Sequence, residues 1–214
     1  MRLVWRTEWP HWLLMAVLLI VLLWTPEQVI PIHWNLAGRA DGFGSKWVAF
    51  VFVVGMYALF LVLPRFDPSR ANYAQFAGAY NLVRFALLVM LVVLLGGGAL
   101  GLQSAGLLYL LVGGLLVVTG SVLGKLRPNW FCGVRTPWTL SSKRSWVKTH
   151  RLGGWLMIVL GLAEIAAGAL DPSSGGQILL VGGGGVVVVT VAYSYIVWRD
   201  DPDRQSAVST RPAD

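Results

Sequence analysis

Charge is scarce in this chain, and cysteine scarcer. Only 13% of its 214 residues are Asp, Glu, Lys or Arg, against 56% apolar ones, a balance that soluble domains of this size rarely hold. The single cysteine, Cys132, excludes an internal disulfide. One cysteine and three scattered histidines fall short of a metal centre, which needs three or more ligands at suitable spacing. No phosphate-loop motif and no nucleophile–base pair occurs, so no catalytic residue, cofactor or metal is assigned. There is no internal repeat, and no segment is long enough for a folded basic module, so the net charge of +7 does not point to direct nucleic-acid binding.

What the chain has instead is membrane composition. It carries 11 tryptophans, suited to the headgroup level, and 25 glycines, which let helices approach closely. Apolar runs long enough to cross a bilayer as helix begin with Trp12 to Thr25, continuing toward Ile30 with Pro26 near the end. Further runs cover Trp47 to Leu63, Leu82 to Leu102, Leu107 to Leu123, Leu152 to Leu170 and Ile178 to Trp198. The first is long for a signal peptide, lacks a small-x-small cleavage site and carries Trp5, Trp9, Trp12 and Trp24, so it reads as retained. The expected architecture is all-α and polytopic, with six transmembrane helices. Residues 1–64 form a first membrane domain of two helices, 65–200 a second of four, and 201–214 a polar disordered tail.

Basic residues set the expected orientation, because basic loops resist export. Loop 1 carries only Arg39 and Lys46, whereas the loop between the fourth and fifth spans carries seven Lys and Arg residues and no acid. An N-in/C-in arrangement in a bacterial inner membrane places 15 of the 17 basic residues in the cytoplasm. That basic surface would also meet anionic membrane lipids.

Two polar stretches stand out from generic membrane helix. The outer one runs Pro31-Ile32-His33-Trp34-Asn35 and on through Gly38, Asp41-Gly42 and Gly44-Ser45-Lys46. Its turn-forming pairs predict a folded loop with tight turns at Asp41-Gly42 and Gly44-Ser45. His33, Asn35, Asp41 and Lys46 are candidates to converge on a small polar site. Alternatively, His33 and Trp34 are interfacial anchors and Asp41 caps a turn.

The inner stretch runs from Lys125 to Gly154. Pro128 is expected to end the fourth helix, and Thr139, Ser141 or Ser142 to cap a helix continuing into the fifth span. On that helix Trp146, His150 and Gly153 or Gly154 share a face. Lys143 and Arg144 oppose the helix dipole in its first turn, a conflict that a docked anion would resolve; solvent exposure is the alternative.

Within the membrane, Glu164 lies midway along the fifth span. It is either neutral and hydrogen-bonded or a proton-coupling or substrate-contacting group. Arg84, at the start of the third span, is a basic residue free to snorkel. Gly96–Gly98 and Gly182–Gly185 mark close helix packing, or else a hinge or ligand cavity.

The strings GVRTPWTLSS and KTHRLGG, with the upstream PIHWN, Gly38, Asp41 and Ser45-Lys46, resemble the SdpI immunity-protein family and the membrane domain that precedes its signature. The resemblance covers nearly the whole chain. It implies immunity to a secreted, membrane-active toxic peptide, with possible signalling by holding a cytoplasmic transcriptional repressor at the membrane. Positions matching the family's motifs are His33, Asn35, Gly38 and Asp41 outside, and Asn129, Gly133, Arg135, Thr136, Pro137, Trp138, Thr149, His150 and Gly153 inside. Trp146, Arg151 and Glu164 complete the candidate ligand or signalling residues. The alternative reading is a membrane carrier or enzyme for a lipid-linked anionic substrate, held by Arg135, Lys143, Arg144 and Arg151 beside Trp138 and Trp146.

Overall fold

A computed structural model describes residues 5–204. Its elements are α1 (Trp5–Trp24), β1 (Val29–Trp34), β2 (Ala40–Ser45), α2 (Lys46–Val62), α3 (Tyr73–Ala99), α4 (Ala105–Leu123), the short α5 (Pro137–Ser141), α6 (Lys143–Leu170) and α7 (Gly175–Arg199). Single 3-10 turns at Leu63–Arg65 and Arg70–Asn72 join α2 to α3. Five helical segments, Lys46–Arg65, Arg70–Ala99, Ala105–Leu123, Lys143–Leu170 and Gly175–Arg199, are long and apolar enough to cross a membrane, and Glu8–Trp24 is a shorter apolar helix. The chain is an all-α polytopic membrane protein.

Successive helices alternate direction, which sorts the connections into two ends. One holds the β1–β2 hairpin and the α3–α4 and α6–α7 turns. The other holds the α2–α3 connection, the Gly124–Thr136 loop and the residues after α7. Among described residues, Arg39 and Lys46 are the basic residues of the hairpin end. The other end, called basic here, collects Lys125, Arg127, Arg135, Lys143, Arg144, Lys148 and Arg151.

Two packed groups build the molecule. Leu18 and Leu22 of α1, Ala49 and Val53 of α2, and Leu88, Val92 and Leu95 of α3 form one core, closed at the hairpin end by Ile30. Tyr73, Phe76 and Tyr80 of α3, Val122 and Leu123 of α4, and Trp146 of α6 form the second. Lipid tails are as apolar as these side chains, so helix association relies on close packing and polar contacts rather than on escape from water. The α4–α6 pair shows this most directly. Gly106, Gly113 and Gly120 face Gly168, Gly161 and Gly154 at seven-residue intervals. A Cβ added at any of the six would lie 2.5–2.7 Å from the opposing glycine's carbonyl oxygen.

Several expectations need correction here. In the glycine run of α7 the close packing is confined to Gly182, where a Cβ would lie 2.5 Å from Leu160 Cδ1; Gly183, Gly184 and Gly185 have nothing within 4 Å of a notional Cβ. The glycine-to-glycine approaches are those of the evenly spaced glycines of α4 and α6. The first helix stops at Trp24, short of Ile30: Pro26 has no N–H to continue the ladder, and Lys46 Nζ instead donates to the carbonyls of Leu22, Thr25 and Pro26 at 2.8, 2.7 and 3.3 Å. Pro128 lies beyond the fourth helix, which ends at Leu123. The tail is ordered at its start: Asp201 is buried and a turn runs to Arg204. The rest of the tail, 205–214, lies outside the described residues.

Candidate functional site

At the hairpin end, β1 and β2 pair antiparallel from Val29↔Ser45 to Trp34↔Ala40, with register irregularities around His33. The reversal falls at Asn35–Arg39, not at Asp41-Gly42 or Gly44-Ser45, which lie within β2. Asn35 Oδ1 accepts the N–H groups of Ala37 and Arg39 at 2.9 and 3.2 Å, and Asn35 O accepts Gly38 N–H at 2.9 Å. Gly38 takes φ +69°, and a Cβ there would strike Ala105. Both facts explain why this turn needs asparagine and glycine.

The polar residues of this loop do not converge on one point. His33 Nδ1 lies 2.6 Å from Asp41 Oδ1, with side chains 71% and 43% exposed. Lys46 points away into the end of α1 and lies 3.3 Å from Glu27. Instead, the hairpin roofs an open groove of about 840 Å³, lined by Ile32, His33, Asn35, Leu36, Tyr109 and Leu179 among others. Tyr109 fixes the roof to the bundle by donating its hydroxyl to Leu36 O at 2.6 Å. One turn deeper on α4, Gly113 faces Glu164, whose two buried carboxylate oxygens find no hydrogen-bond partner among the described residues.

At the basic end, the loop after α4 is folded by its own side chains. Asn129 Oδ1 accepts from the backbone N–H of Phe131 and Cys132 at 3.0 and 2.6 Å. Asp67 accepts from Trp130 N–H and from the Tyr73 hydroxyl, both at 2.9 Å. Burial pushes the Cys132 thiol's pKa up. Arg135 donates to Trp130 O, and its neighbour Thr136 caps α5 in a reciprocal box with Thr139. Thr136 Oγ1 also meets Ser194 of α7 at 3.0 Å, and Trp138 contacts the Tyr195 ring edge-on at 5.2 Å.

His150 is the hub of this end. It is fully buried and stacked on Trp146 with ring centroids 4.0 Å apart. Val134 N–H donates to its Nε2 at 3.0 Å, and its Nδ1 lies 2.8 Å from Trp146 O. An imidazole that accepts at Nε2 and donates at Nδ1 is neutral, with both nitrogens occupied. Gly133, at φ +98°, passes so close that a Cβ would fall 2.2 Å from Nε2.

The anion expected at the start of α6 belongs to the chain itself. Ser142 caps the helix by accepting Ser145 N–H at 2.9 Å and hydrogen-bonds the Asp201 carboxylate, while Arg144 donates to Asp200 O at 3.3 Å. The conflict of Lys143 and Arg144 with the helix dipole is thus offset from within. Arg151, the next residue of α6, turns about 100° away from His150 and lies exposed.

Residues 125–196, comprising this loop with α5, α6 and most of α7, match the SdpI/YfhL protein family. Over this segment the chain is of the SdpI type. Residues 12–57, covering most of α1, the hairpin and part of α2, match a domain of unknown function, DUF1648. Neither a curated protein nor a solved structure gives a match. Within the SdpI segment, Asn129, Gly133, Thr136 and His150 each make a contact that folds or docks the loop.

One polar cluster escaped the sequence reading. In the α1–α3 group of this SdpI-type protein, Arg84 Nη1 and Nη2 donate to Glu8 Oε1 and Oε2 at 3.1 and 2.9 Å. Tyr57 donates to Glu8 at 2.9 Å, and Trp12 donates to Tyr57 at 3.0 Å. His11 sits 3.7 Å from Glu8, edge-on to Phe85. The available signal was Glu8 followed by His11, one helical turn apart in an otherwise apolar segment. A span begun at Trp12 leaves both outside.

Proposed function

We propose that this SdpI-type protein confers immunity to a membrane-active toxic peptide, which it meets in the groove beneath the hairpin. Supporting this reading is the groove itself: an open, mostly apolar trough with His33 and Asn35 at its rim, suited to an amphipathic segment. The basic-residue distribution supports an N-in/C-in orientation in a bacterial inner membrane, with the hairpin outside. In that orientation the folded Asn129–His150 region faces the cytoplasm, where Arg135 is exposed for a signalling contact with a transcriptional repressor.

The test is a challenge assay in a sensitive bacterial host. Cells expressing wild type, His33→Ala, Arg135→Ala or Glu164→Gln, each verified in the membrane, are exposed to secreted membrane-active peptides. Wild type protects, and His33→Ala reduces protection at unchanged protein level. A well-expressed wild type that protects against none of the peptides removes the immunity reading.

A further inference from the structure

α6 has 28 residues and is about 42 Å long as regular helix, more than the roughly 30 Å of a hydrocarbon core. Its uncharged, mostly apolar part begins at Leu152, so Arg151 lies at the boundary of the hydrocarbon and the first two turns project beyond it. One face of this helix stays exposed along its length. Lys148, Arg151, Trp155, Val159 and Leu162 recur on that face at intervals of three and four residues. In order, these are two cations, a tryptophan that is 65% exposed, and two aliphatic side chains. Lys125 lies beside them in the turn after α4, because its neighbour Gly124 packs on Arg151, with a notional Cβ 3.7 Å from the Arg151 Cα.

Among the described residues, Lys125, Lys148 and Arg151 have no carboxylate and no hydrogen-bond partner. Three acids of the same end are engaged elsewhere: Asp67 with Tyr73 and Trp130, Asp200 with Arg199, and Asp201 with Ser142; Asp203 lies exposed beyond the end of α7. Three unpaired cations therefore sit at headgroup depth. Below them an aromatic side chain stands at the level tryptophan prefers, and an apolar strip continues along acyl-chain depth.

We infer that the outward face of α6 at the basic end, beside Gly124 and Lys125, is a binding site for one anionic phospholipid. Its phosphodiester lies among Lys125, Lys148 and Arg151, and an acyl chain runs over Trp155, Val159 and Leu162. The groove beneath the hairpin is at the opposite end of the bundle, so this site stands or falls separately from the immunity reading. A headgroup phosphate gains from each cation near the surface, and this face supplies three that are paired with no carboxylate among the described residues.

Native mass spectrometry of the full chain in neutral detergent tests this, with phosphatidylglycerol and phosphatidylcholine of identical acyl chains added in equal amounts. Phosphatidylglycerol is retained at least about fivefold over phosphatidylcholine. The triple variant Lys125→Gln/Lys148→Gln/Arg151→Gln loses that preference. Arg65→Gln/Arg70→Gln/Lys143→Gln, with the same change in charge at the same end, keeps it. Glycerol phosphate at matched concentration does not displace the lipid. Equal retention of the two lipids by wild type, unchanged preference in the first triple variant, equal loss in both triple variants, or displacement by glycerol phosphate would each overturn the assignment.

Discussion

Glu8 and Arg84, 76 positions apart, form a two-pronged ion pair inside the α1–α3 group, with side chains 5% and 3% exposed. Tyr57 and Trp12 extend it into a chain of hydrogen bonds that ties α1 to both α2 and α3. Lys46 holds the opposite end of α1. The helix that leads into the hairpin is thereby pinned at both ends.

Removing one charge of this pair strands the other where water does not reach. Arg84→Met or Glu8→Leu alone is expected to destabilise the protein by about 3–5 kcal/mol. The double variant is expected to be less destabilised than the worse single one. Thermal unfolding in detergent across the double-mutant cycle measures this, and strictly additive losses would contradict a direct pair.

The α4–α6 glycines predict a sharp positional contrast. Gly113→Ala or Gly161→Ala places a methyl 2.5 or 2.6 Å from a backbone oxygen, so the helices must separate, at a cost of about 1–3 kcal/mol. Gly184→Ala enters open space and leaves the melting temperature unchanged or slightly raised. Similar melting curves for all three variants would show that the tight seam does not carry stability.

Docking of the basic-end loop is readable at Cys132. Its thiol is half-buried, and burial raises its pKa, so maleimide labelling at neutral pH is slow. His150→Ala leaves the Val134 N–H without its acceptor, and Gly133→Ala cannot keep the close approach over His150. Either substitution is expected to speed labelling about tenfold or more. Labelling at the wild-type rate in both would mean that His150 does not hold the loop.

Asp201 sets an acid-sensitive clasp between the end of α7 and the start of α6. The hydrogen bond from Ser142 holds its carboxyl below the usual carboxylate range, helped by Asp203 N–H, Arg144 and Arg204. A carboxyl with a lowered folded-state pKa contributes stability above its unfolded value of about 3.9, and loses it as pH falls through the folded one. Asp201→Asn should therefore melt lower than wild type at pH 7, with the gap closing toward pH 3. A gap that stayed constant with pH would remove the charge from the explanation.

The exposed His33–Asp41 pair gives the opposite expectation. At 71% and 43% exposure, even a charged pair of this kind contributes at most about 1 kcal/mol. His33→Ala should leave the melting temperature nearly unchanged, which makes it a clean probe of the groove rim. A large drop in stability would show instead that the pair holds the hairpin together.

The membrane class, the helical spans and the sorting of basic loops were legible in the sequence because hydropathy and charge act locally, one segment at a time. So was the shared face of Trp146, His150 and Gly153, since helical spacing fixes which residues lie together. The capping residue was narrowed to Thr139, Ser141 or Ser142, and the tertiary structure chose Ser142. Partner identities were not legible. Glu8 finding Arg84, Lys46 closing α1, Asp201 supplying the anion at α6, and α4 and α6 matching glycine to glycine all join residues far apart in the chain. Each was decided by which helix ends the fold brings to the same height. In a bilayer, where apolar contact alone does not choose between neighbours, those polar and close-packed meetings select one arrangement of the helices.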